Sequence, residues 1–404
     1  MKNVILIVLL IFIVTVNCKS QINPSLTNYI SHIEKQNSKS KDYIIKQWEK
    51  NDVVILCERY HGEMTQYDLI FDVIQSEYFI NNVGCVFTEI GSISLQNELN
   101  SFLTKEYSDS TTQYLDLIKI YRNMTWPIWE KSNFFFLLKK INILNSTLPE
   151  NKKIKVYPSD MINPDFQEIK NKEDFLTFRK IQLFKDRDSI MAENIIHVYD
   201  SLHQLGKNKC LVIMNFRHAF LKNILRADGA LITNTGAVLS NNYKNKVASV
   251  YINSVALTIK PTDTTKNVAF QDYYDVPIQD GKWDAAFKIV KKEDLGFDFK
   301  GSPFGKDSLD IWPWSRQYTY HDVYTGMVYY LPISKHFEAY GLDGFVDSAF
   351  VDELYERFSI FYEVYGGEKF EKADLTKSFE YEEMKYEELD RLESEINKWM
   401  NNEH

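Results

Sequence analysis

The chain has 404 residues, 44% of them hydrophobic and 25% charged, and its 56 acidic against 47 basic side chains leave a net charge of −9. That apolar share is enough to bury a large core, in one elaborated α/β domain or in two domains. The acidic balance, with no cluster of Lys and Arg, excludes a surface that grips nucleic-acid phosphates.

Met1-Lys2-Asn3 precedes an apolar stretch from Val4 to Val16, broken only by Thr15 and followed by Asn17-Cys18-Lys19-Ser20. The stretch has the length of a signal-peptide core and falls short of the roughly 20 residues that a membrane-spanning helix needs. Val14-Thr15-Val16-Asn17-Cys18 resembles a bacterial lipoprotein signal, with Asn17 where such signals carry a small residue. The resemblance implies that Cys18 becomes the lipidated first residue of an exported, cell-envelope protein, attached to the membrane through that anchor alone. A plain secretory signal is the alternative. Residues 1–18 are thus expected to be a signal peptide and residues 19–45, polar and rich in Ser, Asn and Gln, a tether. The domain proper is expected over 46–365, and a charged, solvated helix over 366–404.

Asp52-Val53-Val54-Ile55-Leu56-Cys57 is a continuous apolar run of the kind found in strands buried on both faces of a parallel sheet, and it stops on Glu58-Arg59-Tyr60-His61-Gly62. Tyr67, Ile70, Phe71 and Ile74 follow at helical spacing. Val83 to Thr88 reads as a second buried strand that stops on Glu89. Helices are predicted over Leu95–Leu103, Tyr114–Tyr121 and Phe134–Leu144, with a break at Trp126-Pro127-Ile128-Trp129. Ile154 to Tyr157 is a short strand ending at Pro158-Ser159-Asp160, and a long helix is predicted from Lys172 to Leu205, stopped by Gly206. Cys210 to Met214 is the next strand, giving way to Asn215-Phe216-Arg217-His218, and Val247–Ile252 is another. Beyond residue 255 the pattern loosens: Asp284–Val290 fits helix or strand, Gly326–Leu331 a late strand, and Asp352–Tyr365 and Glu380–Met400 helices.

Strands alternating with helices imply parallel βαβ units, hence an α/β fold with a mostly parallel central sheet flanked by helices and helical elaborations. The carboxyl ends of such strands lie along one edge, where open α/β sheets bind ligands. Four apolar runs end on polar groups: Glu58 with His61, Glu89, Asp160, and Asn215 with His218. These should share one cleft. Arg187, Met191 and Asn194 share one face of the long helix at i, i+4 and i+7.

Two carboxylates and two histidines suffice for general acid–base chemistry. A neutral imidazole can take a proton from water when a carboxylate fixes its tautomer, and Glu58 precedes His61 by three residues. Arg187 and His218 could then donate to an oxyanion. With no G-x-S-x-G elbow, and with Cys57, Cys85 and Cys210 each in or beside an apolar run, water is the expected nucleophile and no disulfide framework is expected. The bland alternatives are core histidines bonded to backbone, a structural Glu89–Arg187 ion pair, and a turn capped by Asp160.

Leu56 to Gly62 resembles the Gly-Glu-x-x-His-Gly signature of the erythromycin esterase-like family. Arg187-Asp188-Ser189-Ile190-Met191-Ala192-Glu193-Asn194 is similar to that family's Arg-Asp-x-x-Met-Ala-x-Asn helix, and Asn215-Phe216-Arg217-His218-Ala219 to its second histidine motif; Phe87-Thr88-Glu89, the Asp160 turn and Thr235 to Leu239 fall in the family's order. The resemblance spans about residues 50 to 350. It implies hydrolysis of an ester or lactone with no cofactor or required metal, His61 activating water, Glu58, Glu89, Arg187 and His218 completing the site, and Arg59, Asp160, Asn194 and Asn215 contacting a small-molecule substrate. Cys57 stands where the family has glycine, and Thr65 and Ile70 where its esterases often carry Glu and Arg. Two alternatives are a metal-dependent hydrolase, since His61, His218, Glu58, Glu89 and Asp160 include ligand types, and a non-catalytic lipoprotein that captures an aromatic-bound ligand such as haem.

Overall fold

A computed structural model describes residues 22–166, 168–182, 186–259, 273–366 and 371–404. The expected signal peptide and Cys18 lie outside the described residues. Helices of six residues or more and the strands of the central sheet are numbered in chain order. They are α1 (Thr27–Lys35), α2 (Ser40–Gln47), β1 (Val53–Glu58), α3 (Thr65–Ile74), α4 (Glu77–Asn82), β2 (Cys85–Ser92), α5 (Gln96–Thr104), α6 (Ser110–Tyr121), α7 (Ser132–Ser146), β3 (Lys155–Asp160), α8 (Lys172–Gln182) and α9 (Arg187–Gln204). Then follow β4 (Cys210–Asn215), α10 (Thr235–Asn242), β5 (Val247–Ile252), α11 (Lys282–Val290), β6 (Asp294–Asp298), β7 (Gly326–Tyr330), α12 (Val351–Tyr365) and α13 (Leu389–Met400).

The seven strands form one sheet in the order β6-β7-β5-β1-β4-β2-β3. Every neighbouring pair is parallel except β6 with β7. Continuous apolar runs suit the inner strands because helices cover both faces, and alternate side chains feed two separate cores. From β1 and β4, Val54, Leu56, Leu211 and Ile213 enter the core under α3 to α7. Val53, Ile55, Cys57, Cys210, Val212 and Met214 enter the other, under α1, α9, α10 and α11. The α/β architecture expected from the strand–helix alternation is the one observed. Among the described residues no helix is long and apolar enough to cross a membrane.

Three expectations are corrected. The tether expected over 19–45 carries α1 and most of α2: Leu26, Ile33 and Ile44 are fully buried, and the Tyr29 and Tyr43 hydroxyls donate to Asp307 (2.8 Å) and Asp298 (2.7 Å). Leu26, Tyr29, Ile30 and Ile33 form a helical stripe that the polar composition masks. The long helix expected from Lys172 to Leu205 is two helices. Asp186 caps the second, accepting from the Ser189 amide (3.0 Å) and hydroxyl (2.7 Å), which puts Arg187 in a first turn and not mid-helix. The charged C-terminal segment is also no free-standing solvated helix: Glu382–Met384 pairs with Glu338–Tyr340, and Leu392 and Ile396 are buried as α13 packs on α11.

Candidate functional site

β1 ends on Glu58, and the loop that follows curls His61 back over it, so that His61 Nδ1 lies 2.7 Å from Glu58 Oε1. Facing a carboxylate, Nδ1 carries the imidazole proton and Nε2 is left as the acceptor. The Tyr67 hydroxyl, from α3, donates to Glu58 Oε2 at 2.9 Å, and the Trp129 ring meets His61 edge-on with centroids 5.1 Å apart. Glu58 is wholly buried, whereas the His61 side chain retains 23% exposure, so the imidazole is the part of this pair open to a ligand.

Glu89 stands where β2 loses register against β3, between Thr88 and Ser92. Such irregularities re-aim side chains at the end of a strand. Its Oε2 accepts from the Asn215 amide at 2.9 Å and its Oε1 from Arg187 at 3.1 Å. The same Oε1 lies 3.4 Å from His218 Nε2 and 3.8 Å from His61 Nε2. Arg187 also grips Asp160, the last residue of β3, with two parallel bonds of 2.9 and 2.8 Å. His218 sits in the turn after β4, where its Nδ1 is 2.7 Å from Asp188 Oδ1. Asp188 is buried and fixed in turn by the Thr235 amide (2.9 Å) and by Arg217 (2.6 Å). Glu58, His61, Glu89, Asp160, Arg187 and His218 therefore meet in one ring across the ends of β1, β2, β3 and β4.

The charges in this ring hold one another. Burial alone would raise the Glu89 carboxyl, but His218, Arg187 and His61 outweigh it and keep the group ionised far below the usual carboxylate range. Burial would lower Arg187, and Glu89 with Asp160 reverse that. Asp188 is lowered to about 2, the burial penalty being overcome by its bond to His218. Burial would lower His61 too, yet Glu58 and Glu89 together raise it above the ordinary histidine value. The two carboxylates therefore stabilise the imidazolium that forms when the ring takes up a proton.

Arg59, Asn194 and Asn215, expected to touch substrate, spend their side-chain donors on the protein itself. Arg59 is fully buried on the other side of the β1 terminus, bonded to Glu63 (2.8 Å), Thr65 (2.8 Å), the Asn253 carbonyl (2.6 Å) and side chain (2.9 Å), and the Tyr330 carbonyl. Side chains alternate along an extended chain, so the residue after an inward Glu58 points away. The Asn194 amide donates to the Ser159 carbonyl at 2.9 Å and ties α9 to β3, while the Asn215 amide donates to the Arg59 carbonyl. All three are framework. Thr65 belongs to the Arg59–Glu63 network and Ile70 to the core. Cys57 is wholly buried, its thiol pushed up to about 12 by desolvation and 3.2 Å from the Tyr324 hydroxyl, so it is no nucleophile. Cys85 and Cys210 are likewise buried and free.

Sequence reasoning assigned no role to Tyr67, Trp129 or Asp188. Asp188 carried a signal, since it directly follows Arg187 in the helical motif, but its partner His218 lies 30 residues on, across a strand.

Glu58, His61 and Glu89 offer ligand atoms that lie within 4.8 Å of one another. Their partners fit a metal poorly. Glu58 Oε1 is already engaged by His61 Nδ1, and the Arg187 guanidinium sets a fixed positive charge against the Glu89 oxygen that a cation would need.

No family model matches the chain, and no curated protein matches it in sequence. Among solved structures, an erythromycin esterase mutant, EreC in its open conformation, aligns with a TM-score of 0.48 at 10% identity, over 75% of this chain and 96% of that one. A succinoglycan biosynthesis protein aligns with a TM-score of 0.47 at 11% identity, over 76% and 97%. The haem-binding ChaN of Campylobacter jejuni aligns with a TM-score of 0.33 at 15% identity, over 57% and 88%.

Proposed function

We propose that the chain is a hydrolase of the erythromycin esterase-like type, in which His61 activates water against an ester or lactone. The observation that carries this reading is the Tyr67–Glu58–His61 relay, which fixes the proton on Nδ1 and leaves Nε2 toward Glu89 Oε1, the oxygen that Arg187 and His218 also contact. The ordered motifs around Glu58, Arg187 and His218 support it.

In this scheme water gives one proton to His61 Nε2 as its oxygen bonds to the carbonyl carbon. The carbonyl π electrons move on to oxygen, whose negative charge is met by Arg187. Collapse of that intermediate breaks the carbon–oxygen bond to the alcohol, and the departing alkoxide takes the proton back from Nε2, releasing acid and alcohol. Glu58 stabilises the imidazolium that exists between the two transfers.

Purified protein assayed on a panel of esters and lactones tests the reading. Turnover should survive chelation and fall by about 10² to 10⁴ in His61→Ala. Turnover unchanged in that variant would remove His61 from the chemistry, and the absence of any turnover would leave a ligand-binding protein.

A further inference from the structure

Beyond β3 the ring borders a cavity of about 220 Å³ for which the proton-transfer scheme has no use. Two polar side chains on its wall are already engaged: Asp160 accepts both bonds from Arg187, and the Asn163 amide donates to the Asn123 carbonyl at 2.5 Å. Arg179, on the last turn of α8, is not engaged. Its Nε is buried with no acceptor, and among the described residues its guanidinium makes no hydrogen bond or ion pair. Trp126, from the loop between α6 and α7, brings a second buried donor to the same wall, since its Nε1 also lacks an acceptor.

A cation at the end of a helix ordinarily serves the last carbonyls. Lys180, exposed on the same turn, already does so, and that role does not call for a buried Nε. Desolvated donors are rarely left without acceptors, because each costs free energy until something accepts from it. Two in one cavity wall, one of them a guanidinium, mark the place of an acceptor that carries negative charge.

The rest of the wall says what bears that charge. Trp126 stacks on Phe175, with centroids 4.3 Å apart and planes inclined by 22°, and Phe361 closes on Trp126 at 6.2 Å and on Tyr365 at 4.9 Å. These rings lie outside the two main cores, in or beside a small apolar cluster where α8 meets α12. Tyr365 remains 55% exposed, so the cavity is open to solvent. Rings around a concave wall with a few convergent polar groups are the ordinary composition of a small-molecule site. An apolar cavity of about 150 Å³ takes up benzene, so the space here suits one ring and a short charged substituent.

We propose that this cavity binds a small aromatic carboxylate, its ring against Trp126 and its carboxylate on Arg179. The ligand occupies this cavity alone and does not reach His61, so its binding does not rest on the hydrolase reading.

Sodium benzoate is the probe, with benzyl alcohol as the ring without the charge and acetate as the charge without the ring. In NMR titrations of the wild-type protein, benzoate should bind about tenfold more tightly than either, the scale of one charge-assisted hydrogen bond or one aromatic contact. Arg179→Gln, at a half-buried position where the change spares the fold, should bring benzoate level with benzyl alcohol and leave benzyl alcohol unchanged. Trp126→Phe keeps a ring and removes the N–H, and should weaken benzoate more than benzyl alcohol. No saturable benzoate binding, benzyl alcohol or acetate matching benzoate in wild type, or benzoate binding unaltered in Arg179→Gln would each overturn the proposal. None of these readouts needs turnover, so an absence of ester hydrolysis would end the hydrolase reading and leave this site standing.

Discussion

Replacing Glu58 with Gln is the perturbation that most directly probes how His61 is set. Glu58 is completely buried and spends one oxygen on His61 Nδ1 at 2.7 Å and the other on the Tyr67 hydroxyl at 2.9 Å. In the Gln variant the Tyr67 hydroxyl keeps its bond by claiming the amide oxygen, which turns the amide NH2 toward His61. Nδ1 must then accept, the imidazole proton moves to Nε2, and the nitrogen facing the cleft can no longer take a proton from water. The expected loss is the whole contribution of the positioned base, about 10² to 10⁴ in kcat, or about 3 to 5 kcal/mol of barrier. The acid limb of the pH profile should also move down, because Glu58 is one of the two groups that raise His61 against its burial. Long-range nitrogen–proton NMR reads the tautomer directly: the proton sits on Nδ1 in wild type and on Nε2 in the variant. A variant that keeps the Nδ1 proton and turns over within about threefold of wild type would refute the reasoning.

Arg59→Met should lower stability by about 3 to 5 kcal/mol in urea titrations, because it strands Glu63, wholly buried, without its ion-pair partner. Arg59→Met combined with Glu63→Leu should recover part of that loss, and a single-variant effect below about 1 kcal/mol would mean the pair does not hold the loop. Asp284, nearly buried, is raised by desolvation to about 6. An acid raised in the folded state lends stability that is whole below its unfolded value near 3.8 and is lost as pH climbs through about 6. Asp284→Asn should therefore match wild type near pH 4 and exceed it by about 3 kcal/mol at pH 8 in thermal melts. Glu89 has the opposite sign: its depressed value lends stability above its unfolded value near 4.5 that drains away as pH falls further, so Glu89→Gln should flatten the acid side of the melting curve. An acid limb identical to wild type would place the loss elsewhere.

The parts legible in the sequence are those governed by short-range pattern. The runs Val53–Cys57, Cys85–Thr88 and Cys210–Met214 announce themselves because strands covered on both faces need no polar side chains. Parallel pairing then brings Glu58, Glu89, Asp160 and Asn215 to one edge, which is why a ring could be read from residues so far apart. Direction within that edge was less legible. Arg59 follows an inward carboxylate and so points to Asn253, an inference that needs the end of the strand to be fixed within one residue. Asp188 and Tyr67 escaped because each acts through a second side chain rather than on the cleft. Strand β6 escaped because its antiparallel pairing with β7 is set by residues about 30 positions later, from Asp298 with Gly326 to Asp294 with Tyr330.

The place of β1 at the centre of the sheet has a consequence for how the molecule is made. Val53 pairs with Cys210 on one side and with Val247 on the other, so the first strand to leave the ribosome has no neighbour until β4 and β5 follow. At 5 to 20 residues per second the wait for β4 is about 8 to 30 s. Throughout it Val53–Cys57 is a bare, uncharged, β-branched segment, the kind that seeds intermolecular pairing. The central strand that carries Glu58 is thus also the chain's main liability before completion. Yield should depend on how well a holding chaperone shields those few residues, more than on the stability of the finished fold.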